Sequence, residues 1–269
     1  MAIEIVGELI NTSRKPVKEA VDARDAAAIQ KIAQDQVQAG VSYIDINCGT
    51  YVKEEEEIIE WLVNVVQDVV KDTPLCLDSP NEEALRIGLK LHQNSGKPLI
   101  NSITAEEERF GNILPLVLEF KTKVVALLMD DTGMPDTAEK RIAIVEKLLP
   151  ELLKAGVPAT DIYLDPLVKP ISVGDQGGQE VLQTVQYIKE KYPDVHTICG
   201  LSNISFGLPN RRVLNQAFTI LTMGRGMDAY ILDPTDKQMM GFIYASQALL
   251  GLDPSLRCFL KAYRNGIYA

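Results

Sequence analysis

The sequence predicts a single-domain (β/α)8 barrel over residues 1–269, and three observations carry that reading. Eight short apolar runs recur, each ending on a polar residue, at 3–11, 43–49, 75–79, 99–104, 124–131, 162–166, 196–203 and 229–234. Segments with helical spacing lie between them. No GxGxxG or GxxxxGK[ST] pattern is present, so an open nucleotide-binding sheet loses its best support. Strands that alternate with helices need crossovers and make a parallel sheet. Eight such units over 269 residues fit a closed barrel, and no linker or low-complexity stretch divides them.

The helices follow in order. Gln30 to Ala39 is closed by Gly40, and Glu54 to Val70 opens on an acidic run that suits the positive end of a helix dipole. Asn81 to Leu91 starts just after Ser79-Pro80. In Ala138 to Leu153, Ile142, Val145, Leu149 and Leu152 fall on one face before Gly156. Another helix begins near Pro209, one covers Asp236 to Leu250, and Ser255 to Arg264 is expected to close the chain. The run Lys169 to Gln179 carries three glycines and is expected to be a mobile loop.

Composition sets outer bounds. Hydrophobic residues make up 46% of the chain, ample for a large core, and charged residues 24%. A net charge of −10 argues against a general nucleic-acid binder. No apolar run reaches the roughly 18 residues of a membrane span, and the N-terminus has no leader pattern, so a cytoplasmic protein is expected. Cys48, Cys76, Cys199 and Cys258 are scattered without a CxxC, and His92 and His196 are the only histidines. Buried thiols are expected, with no metal site. His196 opens its strand at the end of the barrel away from any site, and a structural role is expected for it.

In a barrel the active site lies at the C-terminal ends of the strands. Those ends supply Glu8, Asn11, Asp45, Asn47, Asp78, Asn101, Asp130, Asp165, Asn203 and Asp233. The set is carboxylates and carboxamides, with no histidine base, serine–histidine pair or strand-end lysine. It suits a neutral heterocycle rich in donors and acceptors. Helix or turn capping competes with function for each residue. For Asp233 the two weigh equally; for Asp78, Ser79 and Asn81 are better-placed caps. Asn101 has no helix nearby to cap, and Asp165 precedes a proline that keeps it extended. At 196–207, a glycine, Gly200, precedes Ser202 and Asn203, and its missing side chain lets a planar ligand approach the backbone.

The ordered segments GELIN (7–11), YIDINCG (43–49), LCLDS (75–79), INS (100–102), IYLDP (162–166) and GLSN (200–203) make the chain specific. Together they resemble the methyltetrahydrofolate:corrinoid (iron–sulfur) protein methyltransferases of the pterin-binding barrel superfamily. The resemblance covers essentially the whole chain. It implies methyl transfer between nitrogen 5 of (methyl)tetrahydrofolate and the cobalt of a corrinoid (cobalamin) carried by a partner protein. Asp165 is then expected to bind the 2-amino group and ring nitrogen 3, with Asp78 and Asn101 along the nitrogen 1 and nitrogen 8 edge. Asn203 would reach nitrogen 5, with Gly200 and Ser202 on the same wall. Asn203 is the expected catalytic donor, with a proton relayed near Asp45 or Asp78; Glu8 is a second-tier candidate. The resemblance also implies a homodimer. Asp130-Asp131 departs from some relatives, where amide and basic side chains are expected at the fifth strand end. Two alternatives remain at this point: a dihydropteroate-synthase-like enzyme, which resembles a different seventh strand bearing a lysine, and a folate-binding module without activity.

Overall fold

The computed structural model describes residues 3–268. Eight strands form one closed, all-parallel barrel in sequence order. They are β1 (Glu4–Asn11), β2 (Tyr43–Asn47), β3 (Leu75–Asp78), β4 (Leu99–Ile103), β5 (Lys123–Leu127), β6 (Ile162–Asp165), β7 (His196–Gly200) and β8 (Ala229–Leu232). The helices are α1 (Lys15–Asp22), α2 (Ala26–Ala39), α3 (Glu55–Val69), α4 (Glu82–Leu91), α5 (Glu107–Phe120), α6 (Ala138–Lys154), α7 (Gly177–Lys191), α8 (Arg211–Gly224), α9 (Lys237–Leu249) and α10 (Arg257–Arg264). No described helix is long and apolar enough to cross a membrane.

Most expected helices appear within a few residues of their expected ends. Asp25 caps α2 by accepting from the Ala28 N–H, which starts that helix four residues before Gln30. Gly40 (φ 92°) and Gly156 (φ 97°) take the left-handed backbone that ends α2 and follows α6. Two corrections concern spacing. The buried face of α6 runs through Arg141, Ile144, Val145, Leu148, Leu149 and Leu152, rotated away from Ile142 because Arg141 is itself wholly buried. The glycine-rich run 169–179 is not all loop, since α7 begins at Gly177.

Alternation along each strand sorts side chains into an outer core and a barrel interior. Facing the helices, residues such as Ile44, Ile46, Leu75, Leu77, Ile100 and Val124 join the large apolar core. Inside, Val6, Tyr43, Cys76, Leu99, Val125, Tyr163, Ile198 and Ala229 fill the waist. The N-terminal end is closed by a polar plug. Tyr163 donates to Glu4 (2.7 Å) and accepts from Lys123 (2.7 Å), and His196 stacks on Tyr163 (4.6 Å) beside Asp228. His196 is therefore structural. The four cysteines are free, three of them buried.

Candidate pterin site

One row of paired residues at the C-terminal rim builds the site. Asn47 on β2 pairs in register with Asp78 on β3, and Asp78 with Asn101 on β4. Alternation turns all three inward, two positions above the waist residues Asp45, Cys76 and Leu99. The Asn47 amide donates to the Asp78 carboxylate at 2.7 Å. Asp165 ends β6, in register with Leu127 of β5, two residues beyond the Val125 that pairs with Asn101. Gly200 and Ile231 pair with each other on β7 and β8, two residues beyond the waist residues Ile198 and Ala229.

The competing caps are satisfied elsewhere, which leaves Asp78 and Asn101 for other work. Asn81 accepts from Glu83 and Ala84 N–H and caps α4, while the Ser79 hydroxyl donates to Glu55 (2.6 Å). Burial pushes the Asp78 carboxyl up to about 6, against the lowering effects of the Asn47 hydrogen bond and the Arg109 charge. Asp165 is buried and lifted to about 7, although its Oδ1 accepts from the Leu167 N–H at 2.7 Å and Arg141 lies near. Asp45 lies deeper. Its Oδ1 has no hydrogen-bond partner among the described residues, and burial, then the Asp78 charge, push its carboxyl well up. Glu8 faces the mouth between Arg14 (3.8 Å), Arg211 and Asp233, and is raised chiefly by burial.

The β7 end gives the most open element. After Gly200 the chain turns into a short 3-10 helix, Leu201–Ser205. A Cβ on Gly200 would meet the Asn203 amide nitrogen at 3.1 Å, so glycine leaves room for that side chain to lie over the strand end. The Asn203 carbonyl, not its side chain, accepts from Phe206 N–H (3.1 Å) and holds the turn. The side-chain amide makes no hydrogen bond to the described residues and is exposed. Capping therefore does not explain Asn203. Ser202 sits beside it, half-buried, with its carbonyl taken by Arg211 (2.7 Å).

Three strand-end residues serve turns instead. Asn11 accepts from Ser13 N–H, and Asp233 from Thr235 N–H (2.8 Å). Asp130-Asp131 is not the end of the fifth strand at all: β5 stops at Leu127, Asp130 accepts from Thr132, and Asp131 from Glu107 N–H. Sequence reasoning gives Asn47 no role and passes over Arg109, Arg141 and Arg211. Only Asn47 carries a signal, its place at a strand end. Among the described residues no three His, Cys, Asp or Glu side chains form a metal-like group.

The barrel rim carries two carboxylates, Asp165 buried and Asp78 half-buried, and two amides, the mixture of acceptors and donors that a flat heterocycle can pair with. The chain belongs to the pterin-binding enzymes, whose family model matches residues 7–233. Among curated proteins it is 38% identical over 264 residues to the methylcorrinoid:tetrahydrofolate methyltransferase of Eubacterium limosum, covering 97% of this chain and 96% of that protein. It is also 32% identical over 266 residues to methionine synthase of Mycobacterium tuberculosis, covering 94% of this chain but only 22% of that longer protein. Solved dihydropteroate synthases share the fold. The Yersinia pestis enzyme superposes with a TM-score of 0.71 at 15% identity (93% and 95% of the two chains), and that of Vibrio fischeri with 0.70 at 18% (93% of each).

Proposed function

We propose that this chain is a methyltransferase that moves a methyl group between nitrogen 5 of (methyl)tetrahydrofolate and the cobalt of a corrinoid carried by a partner protein. The observation that carries the reading is the rim itself: Asn47, Asp78 and Asn101 in one register row, with Asp165 at the end of β6 and an unpaired Asn203 amide beside Gly200. Its donors and acceptors fit a pterin. Asp165 offers a carboxylate oxygen to the 2-amino group and ring nitrogen 3, both donors. Asp78 and Asn101 line the nitrogen 1 and nitrogen 8 edge, and Gly200 and Ser202 form the wall that Asn203 overhangs.

An amine is a poor leaving group unless charge developing on its nitrogen is neutralised. The Asn203 amide supplies a preorganised hydrogen bond there, strongest in the transition state. Asp45 and Asp78, whose carboxyls are raised by burial, hold the proton that nitrogen 5 needs. The corrinoid supplies a metal centre that accepts or gives the methyl. The residues can serve either direction of transfer. A dihydropteroate-synthase-like reaction is disfavoured because β7 ends in Gly200-Leu201-Ser202-Asn203, with no lysine in the strand. A folate carrier without activity differs in one measurement. Turnover of methylated corrinoid protein with tetrahydrofolate is expected, and it should persist after exhaustive chelation. Tight folate binding without turnover would leave only the carrier.

The chain forms a homodimer through α8 and α9 in this reading. Val213, Ile220 and Leu221 lie on one exposed face of α8, and Phe242 and Leu249 on one exposed face of the neighbouring α9, five large apolar side chains open to water. An interface there leaves the strand-end mouth open for the corrinoid partner. Light scattering should give twice the 29.7 kDa chain mass, and Leu221→Asp should return it to one. A wild-type monomer at micromolar concentration would refute the dimer. The buried free thiols suit a reducing, cytoplasmic setting.

A further inference from the structure

We propose that Arg109 and Arg141 are positioning residues. Each guanidinium grips main-chain carbonyls of the residues that follow a pterin-binding side chain, and so fixes where the binding side chains stand. The proposal rests on the pterin reading of the rim.

Arg109 lies in the first turn of α5. Its Nε donates to the Ser102 carbonyl (3.0 Å) and one terminal nitrogen to the Ser79 carbonyl (2.8 Å), while the other reaches the Pro80 carbonyl. Ser79 directly follows Asp78, and Ser102 directly follows Asn101. Strands β3 and β4 make one last backbone bond, from Ser79 N–H to the Asn101 carbonyl (3.2 Å). Beyond it β3 and β4 no longer pair with each other, although β4 still pairs with β5 through Ile103 and Ala126. Arg109 ties the two strands one rung further out.

Arg141 repeats the arrangement from the first turn of α6. Its Nε donates to the Pro166 carbonyl (2.7 Å), the first past Asp165, and a terminal nitrogen reaches the Leu167 carbonyl (3.4 Å). Glu180 of α7 pairs with it at 2.7 Å. Leu167 is the residue whose N–H holds the Asp165 carboxylate, and it takes a left-handed backbone (φ 54°) that the arginine helps to retain.

Both placements run against helix electrostatics, since a cation in a first turn opposes the dipole. Helix stability therefore does not account for Arg109, while Arg141 also donates to the carbonyl of Thr137, the cap of its own helix (3.1 Å). Only arginine can reach several carbonyls at once from a planar fork; lysine offers one point charge.

Arg109 is the variant to test first, because it is half-exposed and its loss leaves the core intact. The readouts are tetrahydrofolate affinity against pH by calorimetry, and amide hydrogen exchange of the ligand-free chain. Arg109→Gln is expected to raise the Kd at least tenfold and to speed exchange at 78–81 and 101–103, not at 165–168. It should also raise the pH midpoint of binding. The groups facing Asp78 are Asn47 and Asp45 of β2, Cys76 of its own strand, Cys48 and Glu55 beyond β2, and Arg109, the only cation among them. Arg109→Lys should restore the midpoint but not the protection. Arg141→Lys should speed exchange at 165–168 alone. Unchanged affinity and exchange in both Arg109 variants, with the wild type binding folate, would overturn the proposal. A wild type that fails to bind folate would overturn the pterin reading, and the exchange data would still decide the clamp.

Discussion

Asn203→Ala is expected to lower the methyl-transfer rate by about 10²–10³, roughly 3–4 kcal/mol, while folate affinity falls far less. The ring keeps Asp78, Asn101 and Asp165 as partners in the variant, so ground-state binding survives. The lost interaction is the one that strengthens as charge develops on nitrogen 5. Stability should hardly change, because the turn at 201–206 is closed by the Asn203 carbonyl and by Arg211, not by the amide being removed. Single-turnover rate, folate Kd and melting temperature measured on one preparation decide the point. A full rate in the folded variant would remove Asn203 from the chemistry. An equal loss in rate and affinity would make it a binding group only.

Asp165→Asn should weaken tetrahydrofolate by roughly 30–160-fold, about 2–3 kcal/mol, since an amide N–H then faces a ring edge of donors. The wild type should show a matching pH signature. Burial lifts the free carboxyl to about 7, whereas two ring donors require its ionised form. Below pH 7 binding must expel a proton, so affinity falls by up to tenfold per pH unit, and proton release should appear in calorimetry in different buffers. The ligand-free protein should show the opposite trend in stability. A folded pKa above the unfolded value of about 3.9 means that the folded state holds the extra proton between about pH 4 and 7. Stability is then lost as pH rises through that window, by up to about 1.4 kcal/mol per unit, and Asp165→Asn should flatten the loss. An unchanged slope in the variant, or pH-independent binding from 5 to 8, would remove Asp165 as the ring's anchor.

Much of the site is legible in the chain because a parallel barrel converts strand order into geometry. A polar residue at the end of an apolar run must sit at the C-terminal rim, so chain order alone places Asp78, Asn101, Asp165 and Gly200 there. The GLSN step marks where the chain leaves β7. The fifth strand misleads. The apolar run 124–129 continues past the sheet, but the strand stops at Leu127, so Asp130-Asp131 falls in a turn. Hydrophobicity marks what is buried, and a buried loop residue such as Leu128 looks like strand.

By itself the sequence determined the barrel and the polar residues near the ends of β1, β2, β3, β4 and β6, because each follows from local periodicity and chain order. Tertiary structure alone decided which polar groups are free. It gave the Asn81 side chain to a helix and the Asn203 side chain to open space, and it joined Asn47 to Asp78 through register. It also buried Arg141 on an otherwise apolar helix face and set Arg109 across two strands, 30 residues from the Ser79 carbonyl it holds. Those contacts depend on long-range closure of the barrel. A guanidinium on one helix meets the carbonyls of other strands only when every intervening unit has packed, and no local pattern in the chain records that meeting.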